Sequence, residues 1–258
     1  MSLQTLQNKV ANAPELDFGG IFGEAIELFK KVWLQGLLLL IFTLIMILPL
    51  IIIMYAPLIA VILAAESGGF DPDSNPLLAG GLSVGMIIGI LFFVLAISVV
   101  ATALVAGFYH ICRAADQGKE VSTGMLFTFL KKQYVGKLFQ IGLLVIVIST
   151  IALALCVLPI FYVMVPLAFI APIFAFNPEL SPTDLVKAGF SIGNKKWLLT
   201  FGLLIVVSIG MNIISYITCG LGAIFLGCFQ YLPVYLIYKK VIGFEDDDEI
   251  NQIGVTDY

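Results

Sequence analysis

Charge is the first thing this chain lacks. Only 12% of its 258 residues are Asp, Glu, Lys or Arg, roughly half the ~25% of a soluble domain. That excludes an ordinary water-facing globular surface. Histidine is nearly absent too. His110 is the only one, and a lone imidazole builds neither a metal site nor a nucleophile–base–orienter set. The four cysteines show no metal-ligand spacing. There is no nucleophile motif, phosphate loop, dinucleotide fingerprint or paired carboxylate set. No enzyme chemistry, cofactor or metal is therefore expected. A dense basic patch is also missing, which argues against a nucleic-acid partner.

What is abundant is hydrocarbon. Hydrophobic residues make up 60% of the chain, and they come in blocks rather than at intervals. A block of about 20 spans a hydrocarbon core roughly 30 Å thick. No water reaches backbone groups there, so spanning segments are helices or closed barrels. These blocks run without strict alternation, which favours helices over barrel strands. The fold class is thus all-α: six transmembrane helices in three hairpins, with three amphipathic interfacial helices on the cytoplasmic face.

Residues 1–15 are polar and read as a flexible N-terminus. Phe18, Phe22, Ala25, Ile26, Phe29 and Trp33 then recur at helical spacing among Glu24, Glu27, Lys30 and Lys31, as in a helix lying at a membrane interface. Span one runs from Trp33 to about Ala64. Its length, about 48 Å at the helical rise, requires tilt, a bend or protrusion. Pro49 and Pro57 are the expected bend points. Glu66–Gly80 is the one sizeable outer loop. Span two covers about 81–109 and opens on Gly81, Gly85 and Gly89, a small-xxx-small ridge that suits close helix approach, within the chain or to a second copy.

Met125, Leu126, Phe129, Leu130 and Tyr134 form a second amphipathic stripe behind Ser122, a candidate N-cap. From Leu138 to Phe176 no residue is charged. Two helices with a turn near Leu158–Pro159 fit that length: span three at about 138–157 and span four at 160–176. Ser181-Pro182-Thr183-Asp184 is a helix start, opening a third amphipathic helix with Leu185, Val186, Phe190 and Ile192. Spans five and six cover about 197–218 and 222–238. The domain plan is a flexible 1–15, a single six-helix domain over 16–243, and an acidic disordered tail over 244–258.

The thirteen Lys and Arg residues fall before span one, after span six, or between spans two and three and spans four and five, all on one side. Lys and Arg counts set orientation, so the expected location is the cytoplasmic (inner) membrane, multi-pass, with both termini cytoplasmic. Three joints repeat a pattern: Lys30-Lys31-Val32-Trp33, Lys131-Lys132-Gln133-Tyr134 and Lys195-Lys196-Trp197. Internal duplication and the ordinary look of an inward membrane entry explain them equally.

Two stretches carry a family resemblance. One is Gly107-Phe108-Tyr109-His110-Ile111 with Gly118-Lys119-Glu120 and Phe127-Thr128-Phe129-Leu130. The other runs from Pro166 through Pro172 to Ala188-Gly189-Phe190-Ser191 and Lys195-Lys196-Trp197. Over roughly 20–240 the chain resembles a broad family of six-helix bacterial integral membrane proteins. That family includes the membrane domain attached to some glycerophosphodiester phosphodiesterases. The resemblance implies the six-helix membrane fold and no defined activity. The phosphodiesterase catalytic barrel is absent, so none of its chemistry carries over.

Candidate positions are few. Asn212 and Gln230 sit at depths within roughly 5 Å of each other, counted along ideal helices. They are placed to hydrogen-bond across spans five and six or to touch a solute. Pro159, Pro166 and Pro172 break up span four, as kinked packing or as an exposed-backbone site. His110 reads as an interfacial residue. Cys156 and Cys219 lie near outer helix ends, where a disulfide is conceivable if those ends touch. No charged residue lies within a span, which argues against an ion-coupled pump.

Two functions remain. The first is a non-enzymatic membrane protein that organises lipids or partner proteins, a homo-oligomer included. The second is a facilitator or carrier for a small or lipidic solute. The first expects interfacial helices with apolar faces turned to lipid or an open groove. The second expects a cavity flanked by Asn212, Gln230 or span four.

Overall fold

The computed structural model describes residues 1–67, 76–155 and 157–244. Its helices are α1 (Leu3–Ala11), α2 (Phe18–Glu66), α3 (Pro76–Asp116), a 3-10 helix (Thr123–Leu130), α4 (Lys132–Ala154), α5 (Val157–Ala168), α6 (Ile170–Phe176), α7 (Pro182–Lys195), α8 (Trp197–Ile217), α9 (Leu221–Leu226) and α10 (Tyr231–Val241). No strand occurs among the described residues. Six stretches are long and apolar enough to cross a membrane: Phe18–Ala64, Val84–Asp116, Lys132–Ala154, Leu158–Phe176, Trp197–Ile217 and Leu221–Val241. The chain is a multi-pass membrane protein.

α2 is one uninterrupted helix, about 73 Å long for its 49 residues. The expected interfacial helix is simply its first four turns, because nothing between Phe18 and Trp33 breaks a helix. Helix continues through Pro49 and Pro57, the expected bend points. The buried stripe is Ile21, Ala25, Leu28, Val32 and Leu39, spaced three, four or seven apart as one helix face requires. It is rotated from the aromatic stripe read in the sequence: Phe18, Ile26 and Trp33 are exposed. Gly36 continues the buried face, where a Cβ would overlap the Cys228 sulfur. Phe22 and Phe29 lie between the two faces and pack edge-on to Phe229, while Phe18, Ile26 and Trp33 face out.

Residues 1–15 are not loose. Ser2 caps α1, accepting from the Thr5 amide at 3.2 Å. Leu6 and Val10 are buried, and α1 packs against α7. The terminal ammonium of Met1 pairs with Glu179 at 2.8 Å, and Lys9 Nζ donates to the Ile242 carbonyl at 2.9 Å. At the other end Phe244 is buried against Phe176 and Tyr238. The acidic run 245–249 lies outside the described residues.

The second amphipathic stripe is a 3-10 helix, not an α-helix reaching Tyr134. Ser122 caps it as expected, accepting from Gly124 N at 3.3 Å. Extended backbone at Lys131 then ends it and starts α4. Its Leu126 and Phe129 are buried, and it lies against α3. Gly107 permits that approach, since a Cβ there would overlap the Leu126 carbonyl. α7 begins as the sequence indicates, with Ser181 accepting from Asp184 N at 3.2 Å and Pro182 in the first turn.

Span four is broken at Phe169, between α5 and α6. Pro159 and Pro172 each occupy the first turn of a half-helix, where no amide hydrogen is needed. Pro166 alone is internal. Span six is also broken, at Gly227–Gln230 between α9 and α10, which the sequence reading did not anticipate. Gly227 and Pro233 flank that break, and Pro233 has no amide hydrogen for the Phe229 carbonyl. These two interrupted spans are the central ones. Half of each apolar window is buried, against 6% in spans one and two.

The charged groups gather at one end and tie helix termini together. Lys239 pairs with Asp116 at 2.5 Å, and the Tyr235 hydroxyl donates to the same carboxylate at 3.2 Å. Lys240 pairs with Glu24 at 2.6 Å. Lys137 donates to the Pro178 carbonyl and Lys196 to the Pro14 carbonyl, both at 2.5 Å. Partial desolvation, with Lys195 alongside, holds the Lys196 ammonium below the ordinary lysine value, and Glu15 opposes the shift. The Arg113 guanidinium sits 4.1 Å above the Phe244 ring, a cation–π contact that keeps the cation at the rim of the apolar core.

Candidate functional site

The two breaks meet at one cavity of about 320 Å³, near the lower end of the ~300–1,000 Å³ range of ligand pockets. α3 supplies Ala101, Thr102, Val105 and Tyr109. The half-helices of span four supply Met164, Leu167, Ala168 and Ala171. α8 contributes Leu204, and Gln230, Tyr231 and Val234 come from the second break and the start of α10. Space exists because Ala101, Ala168 and Ala171 present methyl groups where larger residues would interlock. Four lining residues carry hydrogen-bonding groups: Thr102, Tyr109, Gln230 and Tyr231. None is an acid or a base. An ion entering would lose its hydration with no opposite charge to replace it.

Aromatic packing fixes one wall. Tyr109 is 1% exposed. Its ring stands edge-on to Tyr231 at 6.4 Å and stacks on Tyr235 at 6.3 Å. Tyr235 in turn bonds Asp116, so this wall is continuous with the ion pair at the charged end.

Span four is held in its broken shape from outside. Pro166 lacks the amide hydrogen that would serve the Tyr162 carbonyl. That carbonyl instead accepts from Trp197 Nε1 at 3.1 Å. The Tyr162 hydroxyl donates to Asn194 Oδ1 at 2.6 Å. α7 lies directly on the proline: Cβ atoms at Gly189 and Gly193 would stand 2.8 Å from the Pro166 oxygen and 2.6 Å from its Cα.

The candidate residues divide sharply. Gln230 lines the cavity, and its amide donates to the Gly227 carbonyl at 3.2 Å. Asn212 is exposed and donates to Ser208 O, one turn back, at 2.7 Å. The expected bridge between them does not form. The break at residues 227–230 removes the helical register on which equal depth depended, and a local carbonyl satisfies Asn212. Pro166 and Pro172 shape the span-four wall, while Pro159 only starts α5. Beside Gly85 and Gly89 an added Cβ would meet nothing within 4 Å, so no helix docks there among the described residues. The surroundings of Gly81 lie outside the described residues.

His110 is a joint rather than a reactive group. Its Nε2 is 2.8 Å from the Ala175 carbonyl, and its ring stacks on Phe176 at 5.2 Å. Among the described residues no cluster of His, Cys, Asp and Glu could hold a metal ion. Cys112 and Cys228 are buried thiols and Cys219 is exposed. Cys156 lies outside the described residues, and with it the Cys156–Cys219 pairing.

Sequence reasoning found Gln230 and the span-four prolines. It missed Tyr109, Tyr231, Thr102 and the three alanines, whose only signal is small or hydroxylated residues within apolar runs. Comparison with family models, curated proteins and solved structures finds no match to this chain.

Proposed function

We propose that this protein is a carrier or facilitator for a small or lipidic uncharged solute, with the cavity between the two broken spans as its solute site. One observation carries the reading: two centrally buried, interrupted spans converge on the same cavity. In transport folds, discontinuous helices place hydrogen-bonding groups beside the substrate at membrane depth. The uncharged lining fits an uncharged solute.

The placement proposed is the cytoplasmic membrane, with six spans in three hairpins and both termini inside. The one-sided distribution of Lys and Arg supports it. The 3-10 helix and α7 then lie near the inner interface. The rival reading, an organiser of lipids or partner proteins, needed outward apolar faces on these segments. Leu126 and Phe129 of the 3-10 helix and Leu185, Ala188 and Ile192 of α7 are instead buried, which weighs against it; only the start of α2, with Phe18, Ile26 and Trp33 exposed, keeps such a face.

Flux through reconstituted proteoliposomes tests the proposal. Vesicles with the protein should equilibrate an uncharged solute such as glycerol, or a lipidic alcohol, severalfold faster than empty vesicles. Ala168→Phe and Ala171→Phe, which fill the cavity, should abolish the difference. Equal rates with and without protein for both solutes would reject the proposal.

A further inference from the structure

The cavity has a mouth with a definite character. Two lining residues are open to the surroundings: Met164, 40% exposed, and Gln230. Met164 is the seventh of the 19 residues of Leu158–Phe176, and Gln230 the tenth of the 21 of Leu221–Val241. The opening is therefore on the flank of the spans and not at either end of a span. Ile205, which follows the lining residue Leu204, and Phe161, about one helical turn before Met164, are exposed and apolar. Such a rim repels a hydrated solute and accepts a hydrocarbon chain. Away from Gln230 at the mouth, the hydrogen-bonding groups are on less exposed residues: Thr102 and Tyr109 on α3, and Tyr231 at the head of α10.

We infer that the ligand is an uncharged single-chain amphiphile, of the type of a long-chain alcohol or monoacylglycerol, that enters sideways from the hydrocarbon, head inward and chain trailing through the Met164–Gln230 mouth. This rests on the carrier reading and narrows it. A volume of about 320 Å³ is about ten waters' share of liquid at ~30 Å³ each. That holds a small head and the first part of one chain, not a whole two-chain lipid. The head is uncharged because no cation or carboxylate lines the site. It hydrogen-bonds because Thr102, Tyr109 and Tyr231 offer hydroxyls that both donate and accept.

The test is photolabelling of the full chain in phospholipid vesicles with hexadecanol carrying a diazirine and an alkyne, followed by peptide mapping. Label is expected in peptides holding Met164–Ala171 and Gln230–Val234, and is expected to fall when plain 1-hexadecanol or monoolein is added, but not with palmitate. Thr102→Val and Tyr231→Phe, which change shape little, should raise the competing concentration roughly five- to tenfold, the effect of one lost hydrogen bond. Ala171→Trp should remove the competed label. Label spread over exposed positions such as Phe92 and Leu198, with no competition, would overturn the inference, as would equal competition by palmitate. Glycerol flux that persists and depends on Ala171 while the cavity takes no label leaves the carrier reading standing and removes only this one. Absence of both removes both.

Discussion

The indole nitrogen of Trp197 lies 3.1 Å from the carbonyl oxygen of Tyr162, the acceptor that Pro166 strips of its helical donor. A residue of the Lys195-Lys196-Trp197 joint thus completes the hydrogen bonding of a broken helix 35 positions earlier. Trp197→Phe keeps a ring able to stack on Phe201 but removes the donor. The expected cost is about 1–3 kcal/mol, that of an unmet carbonyl. It should appear as a lower unfolding temperature in detergent. An unchanged temperature would mean water or another donor serves Tyr162.

Glycines divide into those that touch and those that do not. Gly107→Ala drives a methyl group into the Leu126 backbone. The 3-10 helix must then lift off α3, with an expected loss of about 1–3 kcal/mol. Gly85→Ala and Gly89→Ala meet open space and should change stability by no more than about 0.5 kcal/mol. Thermal denaturation of the three variants side by side checks the contrast. If Gly85→Ala also shifts the apparent mass on size exclusion, the ridge is a contact between two copies.

Much of the architecture is legible because solvation acts locally. A run such as Leu138–Ala154 declares a span without reference to anything else, and Ser181-Pro182 declares a helix start. Span four's break is legible because Pro166 acts on its own backbone. α1 is not, because Leu3, Leu6 and Val10 among polar neighbours mean little until the face of α7 is there to cover them. The buried side of α2 is not legible for a related reason. Aromatic rings mark a stripe in sequence, but close approach at Gly36 decides which side faces Cys228. The cavity left no local trace at all. Ala101, Ala168 and Ala171 come from three helices, and a void is set by what neighbours fail to fill.

The docked N-terminus makes its own prediction. Deleting residues 1–12 uncovers part of α7 and removes the contacts of Met1 with Glu179 and of Lys9 with Ile242. Leu6→Asp is the finer probe, since it places a carboxylate at a fully buried position. The cost of a buried, unpaired charge is several kcal/mol. Either variant should open the Val186–Lys195 stretch of α7 to limited proteolysis. Resistance equal to the parent protein would mean that α1 contributes nothing to the fold.

Threading can be read from a single thiol. Cys219 is exposed in the turn that follows α8. α8 starts at Trp197, beside Lys196, and its 21 residues carry the chain about 31 Å from that charged joint. Cys112 and Cys228 are buried and should react only after denaturation. In a Cys156→Ser background, a membrane-impermeant maleimide added to intact cells should therefore modify one thiol, and Cys219→Ser should abolish the signal. Cell-wall-stripped cells are the suitable sample, so that access is limited by the membrane alone. Labelling that appears only in inside-out vesicles would place the α8–α9 turn in the cytosol. The thirteen basic residues would then face outward, against the Lys and Arg rule, and the proposed orientation would have to be reversed.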